Sequence, residues 1–261
     1  MALTRAGIHY EASPGSGPTV VFLHGVTLDL GIWSAQVEEF GDRWRCIGVD
    51  LRGHGGSAPL EPGYDPTADL LGVIDEAGVD RCVLVGLSLG GYEAVVFAAL
   101  HADRCRGLVL ADTWIPGPEL AGWEPPYRLA RQAGREAALE AWLADPLLAS
   151  VSGGALGAVV RAMVATNDLR IWTERIPRAP GPGARELASL IRTPALVVVG
   201  EREIAGFRAV ADWLAATVPG VGGRPVVVVP GAGHLPPLEA HQCFNQVLEE
   251  FVLSLLGTPA G

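Results

Sequence analysis

The sequence predicts an α/β protein with a mostly parallel central sheet, helices on both faces and an inserted helical segment. Three observations carry that expectation. Apolar runs rich in β-branched residues recur at residues 20–23, 83–86, 107–112 and 195–200, short enough for strands and separated by helix-length stretches. Apart from the Asp112 that ends the third, these runs are continuously apolar and do not alternate, as strands covered on both faces require. Between residues 113 and 191 the alternation stops. That stretch holds no convincing strand, reads as helix punctuated by proline and glycine, and carries four of the seven tryptophans.

Taken in order, residues 3–11 read as a short antiparallel strand, followed by a Gly/Pro turn over 13–18. The central sheet opens with TVVFLHG over 19–25. An amphipathic helix over 32–40 places Trp33, Val37 and Phe40 on one face. RCIGV at 45–49 is the next strand and ends at Asp50, before a turn too glycine-rich for regular structure. A helix then starts with Asp65 as N-cap and Pro66 at the first position, and Gly78 stops it. After the strand at 83–86 comes a mostly buried helix over 92–101, and after it the strand at 107–112. Beyond the helical insertion, the strand at 195–200 resumes the sheet. A helix over 207–217, a last strand from Pro225 and a closing helix over 238–256 complete it. The expected division is a core of residues 1–112 and 192–261 and a cap of residues 113–191.

Composition narrows the classes of function. A net charge of -10 with no cluster of Lys or Arg argues against a nucleic-acid surface or attraction to anionic membranes. The start of the chain has no apolar stretch of signal-peptide length, and nowhere do 18 apolar residues run together, so a cytoplasmic protein acting on a small molecule is expected. Cys46, Cys82, Cys105 and Cys243 are scattered and read as reduced thiols. His9, His101 and His241 share no metal-ligand spacing, which argues against a metal centre. Gly231-Ala232-Gly233 lacks the third glycine and the acidic partner of a dinucleotide loop.

The chemistry concentrates at Gly86-Leu87-Ser88-Leu89-Gly90, a G-x-S-x-G pattern between a buried strand and a helix. A serine lifted above a sheet on a tight turn needs neighbours without side chains, which Gly86 and Gly90 provide. The helix beginning after Ser88 directs unpaired N–H groups at the reacting centre, and the Leu89 N–H can hold a developing oxyanion. A serine hydroxyl also needs a base, and the base an orienting carboxylate. His234 follows the last strand and so lies at the same carboxyl edge of the sheet as Ser88, which makes it the expected base. His54, between two glycines, reads as a loop residue hydrogen-bonded near the pocket.

With these motifs in place the chain resembles the α/β-hydrolase superfamily. Four pieces match in order: His24-Gly25, the loop DLRGHGGS from Asp50, the elbow GLSLG, and GAGHLPPLE from Gly231. The resemblance implies that the Val26 N–H is the second oxyanion donor, that residues 50–57 form a structural loop near the pocket, and that no cofactor is needed. It implies His24 in the oxyanion turn, counted with Trp114 among the residues bordering the substrate. Where the family usually has aspartate, three residues past the glycine ending the penultimate strand, this chain has Glu203. Asp112, at the end of the strand after the elbow helix, is the alternative acid. Serine at position 88 separates the chain from the branches that use an aspartate nucleophile, the haloalkane dehalogenases and epoxide hydrolases. What remains is ester or lactone chemistry, most like 3-oxoadipate enol-lactonase-like hydrolases and general esterases. An enol-lactonase would need a cation for the substrate carboxylate, and the sequence places none of the cap arginines, such as Arg128 or Arg161, in the pocket. Non-hydrolytic use of the fold by a lyase, a cyclase, a cofactor-free haloperoxidase or a ligand-binding protein is the alternative. The sequence leaves the oligomeric state open.

Of the cap residues Trp114, Trp123, Tyr127, Trp142 and Trp172, most are expected in the cap's own core, and Trp114, two residues past a sheet strand, is expected to wall the pocket. Replacing it should therefore flatten chain-length selectivity. In Trp114→Ala the ratio of kcat/KM for long over short acyl p-nitrophenyl esters should move toward unity, and an unchanged ratio would contradict the assignment.

Overall fold

The computed structural model describes residues 2–257. Eight strands form one sheet: β1 (Ala2–Leu3), β2 (His9–Ala12), β3 (Thr19–Leu23), β4 (Arg45–Val49), β5 (Cys82–Leu87), β6 (Cys105–Ala111), β7 (Ala195–Gly200) and β8 (Val227–Val229). Their order is β1-β2-β4-β3-β5-β6-β7-β8; β1 and β2 pair antiparallel and every pair from β4 to β8 is parallel. Every residue of β5 and β7 is buried, as the unbroken apolar runs require. From β3 the sheet grows toward β4 on one side and β5 on the other. The carboxyl ends of β3 and β5 thus flank the point where strand order reverses, the place where open α/β sheets bind ligands.

The helices are α1 (Ser34–Phe40), α2 (Pro66–Glu76), α3 (Leu89–Leu100), α4 (Tyr127–Ala133), α5 (Arg135–Leu143), α6 (Gly154–Thr166), α7 (Arg170–Thr173), α8 (Ala184–Leu187), α9 (Ala205–Thr217), α10 (Pro236–Glu239) and α11 (His241–Leu256). Helices α4 to α8 all lie between β6 and β7, where the described chain forms no named strand. Trp33, Phe22, Phe97, Phe207 and Phe244 are fully buried between sheet and helices. Each such side chain contributes roughly 1.5–3 kcal/mol by leaving water. A buried polar contact locks the first helix to the last: Gln36 Nε2 donates to Asn245 Oδ1 at 2.7 Å and to the Pro237 carbonyl at 3.1 Å.

Two elements differ from the sequence expectation. Residues 3–11 are not one strand but the hairpin of β1 and β2, because the chain turns at Gly7 (φ 77°). Thr4 holds that turn, its carbonyl accepting from the Gly7 N–H at 2.8 Å and its hydroxyl from the Ile8 N–H at 3.0 Å. The closing helix is broken at Ala240 (φ −136°), which splits α10 from α11. The break lets the Glu239 carboxylate turn back and accept from the N–H groups of Gly233 and Leu235, both at 2.8 Å. The residues on either side of His234 are thereby clamped. The four cysteines carry no disulfide; Cys46, Cys82 and Cys105 are buried, and burial pushes the Cys46 thiol up to about 11. Among the described residues no helix is long and apolar enough to cross a membrane.

Helix α2 starts as read, with Pro66 at its first position and the Asp65 carboxylate accepting from Thr67 N–H at 2.9 Å and Ala68 N–H at 3.2 Å. Removing that cap should cost about 1 kcal/mol. Urea unfolding of Asp65→Ala should show it as a lower midpoint at unchanged slope, and an unaltered midpoint would show the cap to be dispensable.

Candidate active site

Ser88 sits between β5 and α3 in a conformation rare for a residue with a side chain, φ 53° and ψ −112°. Three backbone hydrogen bonds hold it there: its N–H donates to the Ala111 carbonyl at 3.0 Å, and its own carbonyl accepts from Tyr92 and Trp114, both at 3.1 Å. The flanking glycines are sterically required. A Cβ on residue 86 would overlap the Gly90 carbonyl, and one on residue 90 the carbonyl oxygens of Leu23 and His24. Strain at the serine is thus maintained by the packing of β3, β5 and β6 around it.

His234, on the loop after β8, is 4% exposed and lines the same small cavity as Ser88, together with Val26 and Trp142. Its Nδ1–H donates a short hydrogen bond to Glu203 Oε2, which leaves Nε2 as the nitrogen able to accept a proton. The Phe207 ring meets the imidazole edge to face, with centroids 4.7 Å apart. Glu203 follows β7, and its other oxygen accepts from the Ile204 N–H at 2.6 Å. Burial works to raise the Glu203 carboxyl, but the imidazole and the hydrogen bonds outweigh it and hold the group below the ordinary range.

The alternative acid, Asp112, does not bond the imidazole. It lies behind Glu203, fully buried, with Oδ1 accepting from the Gly200 N–H at 3.1 Å and with φ of 37°. Burial first, and then the negative charge of Glu203, raises the Asp112 carboxyl well above its ordinary value. The opposite directions of the two shifts favour the proton on Asp112 and the charge on Glu203. Asp112, Glu203 and His234 bring one ligand-type atom each within 4.8 Å of one another. Since the imidazole Nδ1 is already committed to Glu203, this cluster fits a hydrogen-bond relay.

Val26 and Leu89 face a larger cavity of about 210 Å³ that also reaches Ser88. Leu89 opens α3, so no carbonyl within the helix satisfies its N–H. Val26 precedes Thr27, whose φ of 65° sets the turn. The Thr27 hydroxyl donates to the Val26 carbonyl at 2.6 Å and accepts from Trp142 Nε1 at 2.8 Å. Trp142 on α5 therefore fixes the turn that presents the Val26 N–H, a role no sequence pattern signalled. His24 requires a correction: it is fully buried and borders neither cavity. Its Nδ1–H donates to the Gly25 carbonyl at 2.8 Å and its Nε2 accepts from the Leu51 N–H at 3.0 Å. Burial lowers its pKa, so it is a neutral brace of the turn and not a substrate contact. His54 does line the larger cavity, kept neutral by burial that pushes it down to about 3.

The larger cavity is walled chiefly by apolar and aromatic side chains. Trp114 lines it as expected, but so do Trp123, Tyr127 and Trp142; of the five aromatic candidates only Trp172 belongs wholly to the cap's interior. Neither Arg128 nor Arg161 reaches it. Arg128 is 73% exposed and pairs with Glu124, and Arg161 is exposed. The arginines that do are Arg52 and Arg178, each held by a buried or half-buried acid. The sequence carried one signal for this, the lone carboxylate Glu93 in the otherwise apolar run YEAVVFAALH.

Residues 20–246 match the profile of the alpha/beta hydrolase family, and the chain belongs to that family. A 2-(acetamidomethylene)succinate hydrolase from Mesorhizobium japonicum is 38% identical over 101 residues, a match that spans 38% of this chain and only 36% of that protein. A putative 2-succinyl-6-hydroxy-2,4-cyclohexadiene-1-carboxylate synthase from Bacillus subtilis is 29% identical, covering 95% of this chain and 96% of the relative. The pimeloyl-[acyl-carrier protein] methyl ester esterase of Chromobacterium violaceum is also 29% identical, with 90% and 94% covered. Among solved structures, the enol-lactonase of Burkholderia xenovorans superimposes with a TM-score of 0.77 at 28% identity, covering 94% of this chain and 96% of that one.

The neutral state of Asp112 has a signature in stability. Above the ordinary carboxyl range the unfolded chain ionises Asp112 while the folded chain keeps its proton, so this group lowers stability as pH rises toward its raised folded value. Asparagine cannot ionise, so it carries no such dependence. The stability of Asp112→Asn relative to the parent in urea unfolding should therefore rise as pH climbs above the ordinary carboxyl range of about 4, and a constant difference would contradict the raised Asp112 carboxyl.

Proposed function

We propose that this member of the alpha/beta hydrolase family is a serine hydrolase that cleaves a carboxylic ester or lactone of a small, partly hydrophobic molecule. The observation carrying this reading is the imidazole of His234, bonded through Nδ1 to the buried Glu203 and opening through its other edge onto the cavity of Ser88. In the proposed reaction Ser88 Oγ attacks the substrate carbonyl while His234 Nε2 takes its proton. The N–H groups of Leu89 and Val26 hold the oxyanion, each contributing roughly 3 kcal/mol to the transition state. His234 then returns the proton to the leaving alkoxide, which departs as an alcohol or, from a lactone, stays tethered to the acyl group. Water, deprotonated by the same imidazole, releases the acid and restores Ser88.

Residues 113–191 act as the cap that roofs the site, supplying Trp114, Trp123 and Trp142 to its wall. The free cysteines suit a reducing, cytoplasmic setting. The full-length match to a synthase favours a second reading, in which the histidine works as a base and no acyl-enzyme forms.

Turnover of a panel of p-nitrophenyl esters and small lactones separates the two. Ser88→Ala should lose about a thousandfold or more in kcat/KM and Glu203→Gln about a hundredfold or more. Asp112→Asn, which keeps a neutral donor behind Glu203, should stay within about tenfold of the parent. Retained turnover in Ser88→Ala would favour the base-only reading.

A further inference from the structure

Two guanidinium groups face the larger cavity, and neither brings a free charge to it. Arg52 is bound in fork geometry by Asp69, Nε to Oδ2 at 2.7 Å and Nη2 to Oδ1 at 2.6 Å, and also donates to the Ala6 carbonyl at 3.0 Å. Arg178 is bound the same way by Glu93, Nη1 to Oε1 at 3.1 Å and Nη2 to Oε2 at 2.9 Å. Glu93 stands on α3, five residues past Ser88, with its side chain 7% exposed against 33% for Arg178. Arg178 is fixed independently of its partner. The Gly63 N–H donates to the Pro177 carbonyl and the Ala179 N–H to the Tyr64 carbonyl, both at 2.8 Å, and the guanidinium lies 5.3 Å from the Tyr92 ring centre and 6.0 Å from that of Tyr64.

We propose that Glu93 is a specificity-determining residue that reserves this pocket for substrates whose acyl or lactone part is uncharged. The inference rests on the serine-hydrolase reading of the same site. A substrate carboxylate entering the cavity would have to leave water, and a desolvated anion is costly without a counter-ion. Arg178 is the cation placed to serve as one, but its charge is matched by Glu93, which would repel the incoming anion. A neutral chain meets an apolar, aromatic wall and no such penalty. Glu93 thus sets this pocket apart from one built for dicarboxylic esters, although both would contain an arginine.

The test is the ratio of kcat/KM for p-nitrophenyl hemisuccinate to that for p-nitrophenyl butyrate. It is run at pH 8 because burial pushes the Glu93 carboxyl up to about 7. The parent should favour butyrate at least about tenfold, equivalent to about 1.4 kcal/mol. Glu93→Gln, which strands Arg178 as a free cation, should raise the ratio at least about tenfold. Arg178→Gln should not raise it, and Glu93→Gln/Arg178→Gln, which has no unpaired charge to destabilise it, should return to the parent ratio. Dissociation constants of methyl butyrate and monomethyl succinate on Ser88→Ala, read by quenching of tryptophan fluorescence, should show the same preference without turnover. A parent that prefers the succinate ester, or an unchanged ratio in folded Glu93→Gln, overturns the proposal. Should no ester turn over while methyl butyrate still binds Ser88→Ala more tightly than monomethyl succinate, the serine-hydrolase reading fails and the role of Glu93 stands.

Discussion

At the carboxyl edge of the sheet, main chain passes main chain more closely than any side chain permits. A Cβ at residue 90 would overlap the carbonyls that end β3, and one at residue 200 would overlap the carbonyl of Gly233, next to His234. Glycine at the first position lets α3 start directly under the turn at Val26 and Thr27, with Ser88 raised above it in a strained conformation. Glycine at the second lets the loop bearing His234 press against the end of β7, which carries Glu203. The catalytic geometry proposed for this chain is in that sense a consequence of two backbone crossings, each closed by a missing side chain. Hydrogen bonds from the Glu239 carboxylate to both sides of His234, and from Trp142 to Thr27, fix what the crossings bring together.

Buried charge around the site is handled in three different ways. Behind His234 two carboxyl groups occupy one low-dielectric space, and burial plus mutual repulsion leave a single negative charge on Glu203. In the cavity wall opposite charges cancel in fork-shaped pairs, so that an aromatic pocket contains arginines without being cationic. The histidines of the β3 turn and the loop after β4 are kept neutral by burial, each with a ring N–H given to a backbone carbonyl. These arrangements leave Glu203 as the one carboxylate bonded to the imidazole that shares a cavity with Ser88.

How much of this was legible in the sequence follows from the range of the forces involved. Strands and the elbow are set by local periodicity and by glycine, so β4 and β7 begin and end where the apolar runs do, and Asp65 caps α2 as its residue type and position demand. The hairpin at Gly7 and the break at Ala240 were missed because each depends on hydrogen bonds to particular neighbours, Thr4 and Glu239, with no periodic signature. Between Glu203 and Asp112, the sequence pattern favoured Glu203 and kept Asp112 as the alternative; the fold puts Glu203 Oε2 on the imidazole Nδ1 and Asp112 Oδ1 on the Gly200 N–H. The pairing of Glu93 with Arg178 joins residues 85 positions apart, from an apolar helix and an irregular loop. Only the isolation of Glu93 among apolar residues hinted that it had a partner.

Covalent trapping is the sharpest test of whether Ser88 is a nucleophile activated by His234. The protein would be treated with a neutral alkyl p-nitrophenyl phosphonate, digested, and the adduct located by mass spectrometry. One adduct per chain is expected on Ser88, lost in Ser88→Ala and formed much more slowly in His234→Ala. A folded protein that takes up no phosphonate, or one labelled at another residue, would contradict it.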